Sequence, residues 1–199
     1  TPRVLELGYG FLGSQAYPEI ARPPMEALSR RVNESCSLGV LDGDAVVYMQ
    51  RVPVRKVMTV ALGIGARLPA FCTSMGRVLL AGLDDPTLDA WLATLELRKV
   101  SEHTCTDPRQ LRRLIRRVRL DGHAYVEQEL ERGLCSIAVP LRTQWAARES
   151  VVLHEVAHHL MCSGRVGPEQ WHGPEFCRTM CEVVAIVLGE ASAIRPSGP

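Results

Sequence analysis

The stretch Val151 to Phe176, VVLHEVAHHLMCSGRVGPEQWHGPEF, constrains this chain more than any other. His154 and His158 are four residues apart, so on a helix they project from one face, one turn above the other. Val151, Val152, Val156, Ala157 and Leu160 are the apolar flanks expected of a helix packed inside a domain. A helix predicted over Val151 to Leu160 offers two imidazoles to one zinc ion, with Glu155 between them placed as the general base of a hydrolase. Histidines and a glutamate on a packed helix need a partner, and a metal ion is one.

A zinc centre that keeps a position open needs three protein ligands. His172 is the best third, fourteen residues after His158 and beyond a Gly-containing loop, Cys162 to Gln170, long enough to turn the chain back. Gly173 and Pro174 follow, and Pro174 suits the first turn of a new helix. His159 is an alternative ligand, but on a helix it points about 100° away from His158. Glu175 and Glu182 are further alternatives. The metzincin pattern is excluded, because Met161 and Gly164 stand where that pattern needs glycine and histidine.

HEVAHHL followed by HGPEFCRTM resembles the zinc core of SprT-like (Spartan-type) metallopeptidases and related metallohydrolases. The resemblance covers roughly Arg148 to Ala191. It implies a helical zincin-like segment that binds zinc through His154, His158 and His172, with Glu155 as base and a peptide as substrate.

The 199 residues allow one or two domains, and a net charge of +1 gives no global argument for nucleic acid or an anionic membrane. No apolar run approaches the roughly 18 residues of a membrane span. TPRVLELGYGFLGS lacks the pattern of a signal peptide, so a cytoplasmic protein is expected. The seven cysteines are scattered and odd in number, which fits reduced thiols. Cys177 and Cys181, four apart, read as small buried helix residues, with metal ligation as the alternative.

Thr1 to Gln15 has the apolar spacing of a helix, and Met25 to Val32 that of another, after a stretch broken by Pro18, Pro23 and Pro24. Cys36 to Leu41 and Ala45 to Val52 are strand candidates joined at Asp42-Gly43, a strong hairpin signal. Lys56 to Leu62 reads as a strand and Gly63 to Pro69 as a loop. Helices follow over Ser74 to Leu83 and over Asp85 to Leu95, the latter with Asp85 as cap. Asp107 and Pro108 open a helix whose Leu111, Leu114, Ile115 and Val118 define a buried face, and Gly122 ends it. Its five arginines from Arg112 to Arg119 read as a solvated face rather than a nucleic-acid stripe. Ala124 to Gln128 and Leu134 to Leu141 read as strands. The mixture lacks a βαβ rhythm, so the expected class is α+β.

RLPAFCTSMGRVLLAGL (Arg67 to Leu83) and GHAYVEQELERGLCSIAVPL (Gly122 to Leu141) resemble the effector-binding domain of IclR-type transcription regulators, closest to the subgroup controlling aromatic-acid catabolism. This resemblance spans residue 1 to about 142. It implies a curved antiparallel sheet with flanking helices. It also implies a small aromatic or dicarboxylic acid effector, met by the helix start at Ser74, Met75 and Gly76 and by Ser136 on a strand. A helix N-terminus suits a carboxylate on physical grounds, since its unpaired amides and dipole face the anion. Ser74 as a plain helix cap is the alternative.

After IAVPLR the regulator family continues with more core strands, whereas here Thr143 to Arg148 leads into the predicted zinc helix. The expectation is therefore a domain 1–143 without its last strands, joined to a metal-binding segment 144–199. A rearranged gene, an engineered chimera and a true fusion all account for such a junction. Two functions follow: a small-molecule sensor, or a zinc-dependent hydrolase that lacks a recognisable substrate strand and so has little peptidase activity. No direct sequence-specific DNA binding by this chain is expected, no membrane partner, and a homo-oligomer is allowed.

Overall fold

The computed structural model describes residues 16–54, 62–141, 151–153 and 158–159. The expected helix over Thr1 to Gln15 and the expected strand over Lys56 to Leu62 fall outside these residues, except for Leu62. The elements run α1 (Ala16–Val32), β1 (Cys36–Asp42), β2 (Ala45–Val52), β3 (Arg67–Pro69), a 3-10 turn (Ala70–Cys72), α2 (Ser74–Ala81), α3 (Asp85–Thr94), α4 (Pro108–Asp121), β4 (Ala124–Glu127), β5 (Leu134–Leu141), β6 (Val151–Leu153) and β7 (His158–His159). The strands form one antiparallel sheet in the order β3-β2-β1-β6-β5-β4, with β7 also on β5.

α1 starts well before Met25, and Pro23 and Pro24 lie inside it. Each proline removes one helix amide. The acceptors left without that bond, the carbonyls of Glu19 and Ile20, belong to exposed residues and reach water. The inner stripe of Ala21, Met25 and Leu28 is buried and packs with Cys36 and Leu38 of β1. That burial, about 1.5–3 kcal/mol for each large side chain, holds the helix together across its prolines.

The opposite face of the sheet carries the larger core. Val46 and Tyr48 of β2, Ala124 of β4 and Ala138 of β5 pack there with Met75, Val78 and Leu79 of α2 and with Leu111, Ile115 and Val118 of α4. α4 follows its sequence signals: Asp107 caps it by accepting from the Arg109 amide at 2.9 Å, and Gly122 closes it at φ 72°, a left-handed conformation that favours glycine. Its arginines are mostly engaged. Arg112 pairs with Asp89, Arg116 lies 2.5 Å from Asp85, and Arg119 pairs with Asp85 and donates to the carbonyls of Ala81 and Leu83.

Asp85 is thus a docking point between α3 and α4. The cap of α3 is Asp84, which accepts from the Thr87 amide at 2.8 Å. Hydrogen bonds from Arg119 and Arg116 hold the Asp85 carboxyl down from 3.8 to about 2. A lowered carboxylate stabilises the fold above its unfolded pKa, and that contribution disappears as pH falls through the folded value. Acid titration followed by circular dichroism should therefore show Asp85→Asn losing stability relative to wild type above pH 3.8, with the difference closing towards about pH 2. The difference should shrink in high salt, because the group is exposed. A gap independent of pH would refute this role.

β6 changes the reading of the C-terminal part. Leu153 and Val152 stand opposite Leu38 and Gly39 of β1 on one side, and opposite Val139 and Pro140 of β5 on the other. β6 thereby joins the two halves of the sheet. The expectation that the sheet lacks strands beyond residue 143, and that a helix begins at Val151, is corrected here. Val152 and Leu153 pair with both β1 and β5, and Val151 with β5, satisfying backbone groups that local helix propensity cannot reach. His158 and His159 are likewise in strand register, opposite Cys135 and Leu134. The two ladders differ in register by one residue: four residues of sequence separate Leu153 from His158, where β5 has three between Val139 and Cys135.

No helix among the described residues is long and apolar enough to cross a membrane. Cys36, Cys72, Cys105 and Cys135 are buried free thiols. Burial, with Glu129 nearby, pushes Cys72 up to about 12, and burial raises the other three as well, so all four stay protonated at neutral pH.

Candidate functional site

The 3-10 turn and α2 meet at Thr73, and three of the residues expected to receive an effector, Ser74, Met75 and Gly76, follow this junction. Thr73 is the cap of α2. Its Oγ1 accepts from the Gly76 amide at 3.2 Å and donates to the Pro69 carbonyl at 3.1 Å. The Arg77 amide bonds the Thr73 carbonyl at 3.0 Å. The first turn of a helix has amides without intrahelical partners. Here Gly76 is served by the cap, which leaves those of Ser74 and Met75.

Ser74 is therefore not the cap. It is the first residue of the helix, fully buried, and its Oγ has no hydrogen-bond partner. A buried hydroxyl without a partner costs about 1–3 kcal/mol, and at a helix start it stands beside free amides. Hydroxyl, amides and helix dipole together have the polarity that suits a carboxylate.

Met75 is buried, and a Cβ built on Gly39 would meet its Sδ at 3.3 Å, so the first turn of α2 lies over β1. Gly76 has a packing role that its sequence position does not reveal. Any Cβ there would run into the Ala70 backbone, so glycine is required for the helix to pack on the turn before it. Ser136 is buried on β5, opposite Val126 of β4. α2 packs on both β1 and β5, and thus spans the sheet between Gly39 and the strand that carries Ser136.

Sequence reasoning missed a buried ion pair next to this site. Arg77, 4% exposed, places Nη2 at 2.7 Å from both carboxylate oxygens of Glu129. Its Nε donates to the Phe71 carbonyl at 3.2 Å, and Glu129 also accepts from the Cys105 amide at 3.0 Å. The pair ties the 3-10 turn, α2, the segment around Cys105 and the turn before β5 into one unit. Nothing local in the sequence links two residues so far apart.

Of the expected zinc set, His158 is in β7, where its strand geometry differs from the helical spacing that made it a ligand. His154, Glu155 and His172 lie outside the described residues, as do Glu175 and Glu182; the alternative His159 is in β7. Among the described residues, no group of three His, Cys, Asp or Glu side chains is gathered around a common point.

An antiparallel sheet with α1 on one face and α2 and α4 on the other, and a helix start with unpartnered polar groups laid over it, defines an α+β domain. The chain belongs to the family described as bacterial transcriptional regulator IclR, C-terminal, whose sequence model matches residues 11–153. It is 41% identical over 141 residues to the Pca regulon regulatory protein of Pseudomonas putida, covering 70% of this chain and 48% of that protein. The crystal structure of a transcriptional regulator from Rhodococcus sp. RHA1 is 41% identical with a TM-score of 0.82, covering 98% of this chain and 77% of the other. The inducer-binding domain of PobR from Acinetobacter, solved as a double mutant with 3-hydroxybenzoic acid, shares the fold at 23% identity and a TM-score of 0.73, covering 89% of this chain and 98% of that domain. The chain spans about half the length of the curated relatives it matches.

Proposed function

We propose that this chain senses a small organic acid of the aromatic or dicarboxylic class for a transcription regulator, holding the acid's carboxylate at the first turn of α2. The observation that carries the reading is the Ser74 hydroxyl, buried without a partner beside the amides of Ser74 and Met75. The Pca regulator from Pseudomonas putida and PobR bound to a hydroxybenzoic acid support the aromatic-acid class. β6 adds the strand next to β5 that the sequence was expected to lack, so the sheet is continuous beneath α2. Calorimetric titration with protocatechuate, 4-hydroxybenzoate, 3-hydroxybenzoate and β-ketoadipate tests this. At least one should bind, and Ser74→Ala should weaken that binding by about 1.5–3 kcal/mol, the range for a hydrogen bond to a charged group. Failure of all four to bind would overturn the reading, and unchanged affinity in Ser74→Ala would move the carboxylate elsewhere.

A second reading, zinc-dependent hydrolysis, has one observation in its favour: the spacing of His154, Glu155, His158 and His172. The strand at His158–His159 does not supply the helical ligand geometry. Elemental analysis after zinc loading and desalting decides. About one zinc per chain, lost in His172→Ala, supports a three-histidine site, and a metal-free protein removes it. If zinc is retained, comparing peptide cleavage by wild type and Glu155→Gln separates a working hydrolase from a bare metal site.

A further inference from the structure

Among the described residues, Arg51 is a half-buried cation with no carboxylate paired to it. It stands on β2 opposite Ser37 of β1, and its Nη1 donates to Ser37 Oγ at 3.1 Å. Ser37 is fully buried. A guanidinium drawn partly out of water and hydrogen-bonded to a neutral hydroxyl still lacks its anion. It is also the side chain best shaped to grip a carboxylate, through two parallel hydrogen bonds.

The alternation of β1 places this cation on the same face as the helix start. Cys36 and Leu38 pack with α1, so Ser37 and Gly39 belong to the other face. Gly39 is the residue beneath Met75. The alternation is unbroken on β1, because the register shift between Leu38 and Gly39 puts its extra residue, Met49, on β2. Ser37 is two residues from Gly39, about 7 Å along the strand. One face of the sheet thus carries two places for an anion: the start of α2 at Ser74, whose neighbour Met75 lies over Gly39, and Arg51 beside Ser37. The two-residue spacing of Ser37 and Gly39 along β1 is on the scale of a small molecule with acidic groups at both ends.

We propose that Arg51 is a specificity-determining residue that receives the second acidic group of the effector. The site then favours a doubly acidic molecule, a short diacid or a ring with acidic groups at opposite ends, over its singly acidic counterpart. This rests on the small-acid reading above, with the first carboxylate at Ser74.

The test uses the whole chain and matched pairs of acids: adipate with hexanoate, and terephthalate with 4-methylbenzoate. Calorimetry on wild type should show the diacid of at least one pair binding about tenfold tighter or more, as expected for one charge-assisted contact. Arg51→Gln should erase that preference while leaving the singly acidic partner within about twofold, since that partner makes no contact for the variant to lose. Arg51→Lys, which keeps the charge without the fork, should retain part of the preference. Ser37→Ala, which removes only the hydrogen bond that orients Arg51, should weaken the preference in a protein whose core is intact, and it replaces Arg51→Gln if that variant does not melt cooperatively. Equal losses for both members of a pair, or a preference indifferent to Arg51 and Ser37, overturns the proposal and leaves the small-acid reading standing. If wild type binds none of the four, nor any of the aromatic acids named above, both fall together.

Discussion

Arg77→Met is expected to destabilise the protein by roughly 3–5 kcal/mol, the cost of leaving one partner of a buried ion pair without the other. Glu129 would remain among buried neighbours with only the Cys105 amide to balance its charge. The Phe71 carbonyl would lose its donor as well. Urea unfolding measures the loss directly as a fall in midpoint. Glu129→Leu should cost a similar amount, since it strands the guanidinium instead. The double variant Arg77→Met, Glu129→Leu should recover much of the loss, because apolar residues of similar volume replace a buried pair at little net cost. If the two single losses simply add in the double variant, the pair is not a coupled unit.

Gly76→Ala is expected to cost about 3 kcal/mol, the upper end of the range for an overpacked site. Alanine gains up to about 1 kcal/mol over glycine in helix propensity, so the prediction runs against the usual direction of this substitution. The decisive point is what the new methyl meets. It runs into the Ala70 backbone rather than the tip of a movable side chain, so the 3-10 turn and α2 must separate. That displacement also moves the Ser74 hydroxyl and the free amides relative to the sheet. Thermal unfolding should show a lower midpoint, and effector affinity should fall about tenfold or more, as when reacting or binding groups lose their alignment. A variant that melts like wild type would show that the turn can yield.

Several features were legible in the sequence because they depend on neighbours along the chain. The hairpin at Asp42-Gly43 joins β1 and β2 as read. Asp107, Pro108 and Gly122 bound α4, and its apolar face is the buried one. The start of α2 at Ser74 was also readable, although its cap, Thr73, was missed despite being a favoured cap residue one position earlier. The capping role given to Asp85 belongs to Asp84, which frees Asp85 for the arginines of α4. The effector residues were placed by resemblance. The geometry then separated them: Ser74 holds the partnerless hydroxyl, Met75 covers Gly39, and Gly76 is demanded by packing.

By itself the sequence determined the α+β class, the β1–β2 hairpin and the elements from α2 to β5, whereas β3 at Arg67–Pro69 lies in the stretch read as a loop. Tertiary structure decided what Val151, Val152 and Leu153 become. The four-residue histidine spacing makes this stretch read as the start of a helix, while its valines suit a strand equally well. The choice depends on whether unpaired backbone groups lie beside it, and those belong to β1 and β5, more than a hundred and about a dozen residues away along the chain. The pairing of Arg77 with Glu129, and the position of Arg51 beside Ser37 on the α2 face, arise in the same way. In each case the deciding partner is distant in sequence, and strand register or close packing brings it within hydrogen-bonding reach.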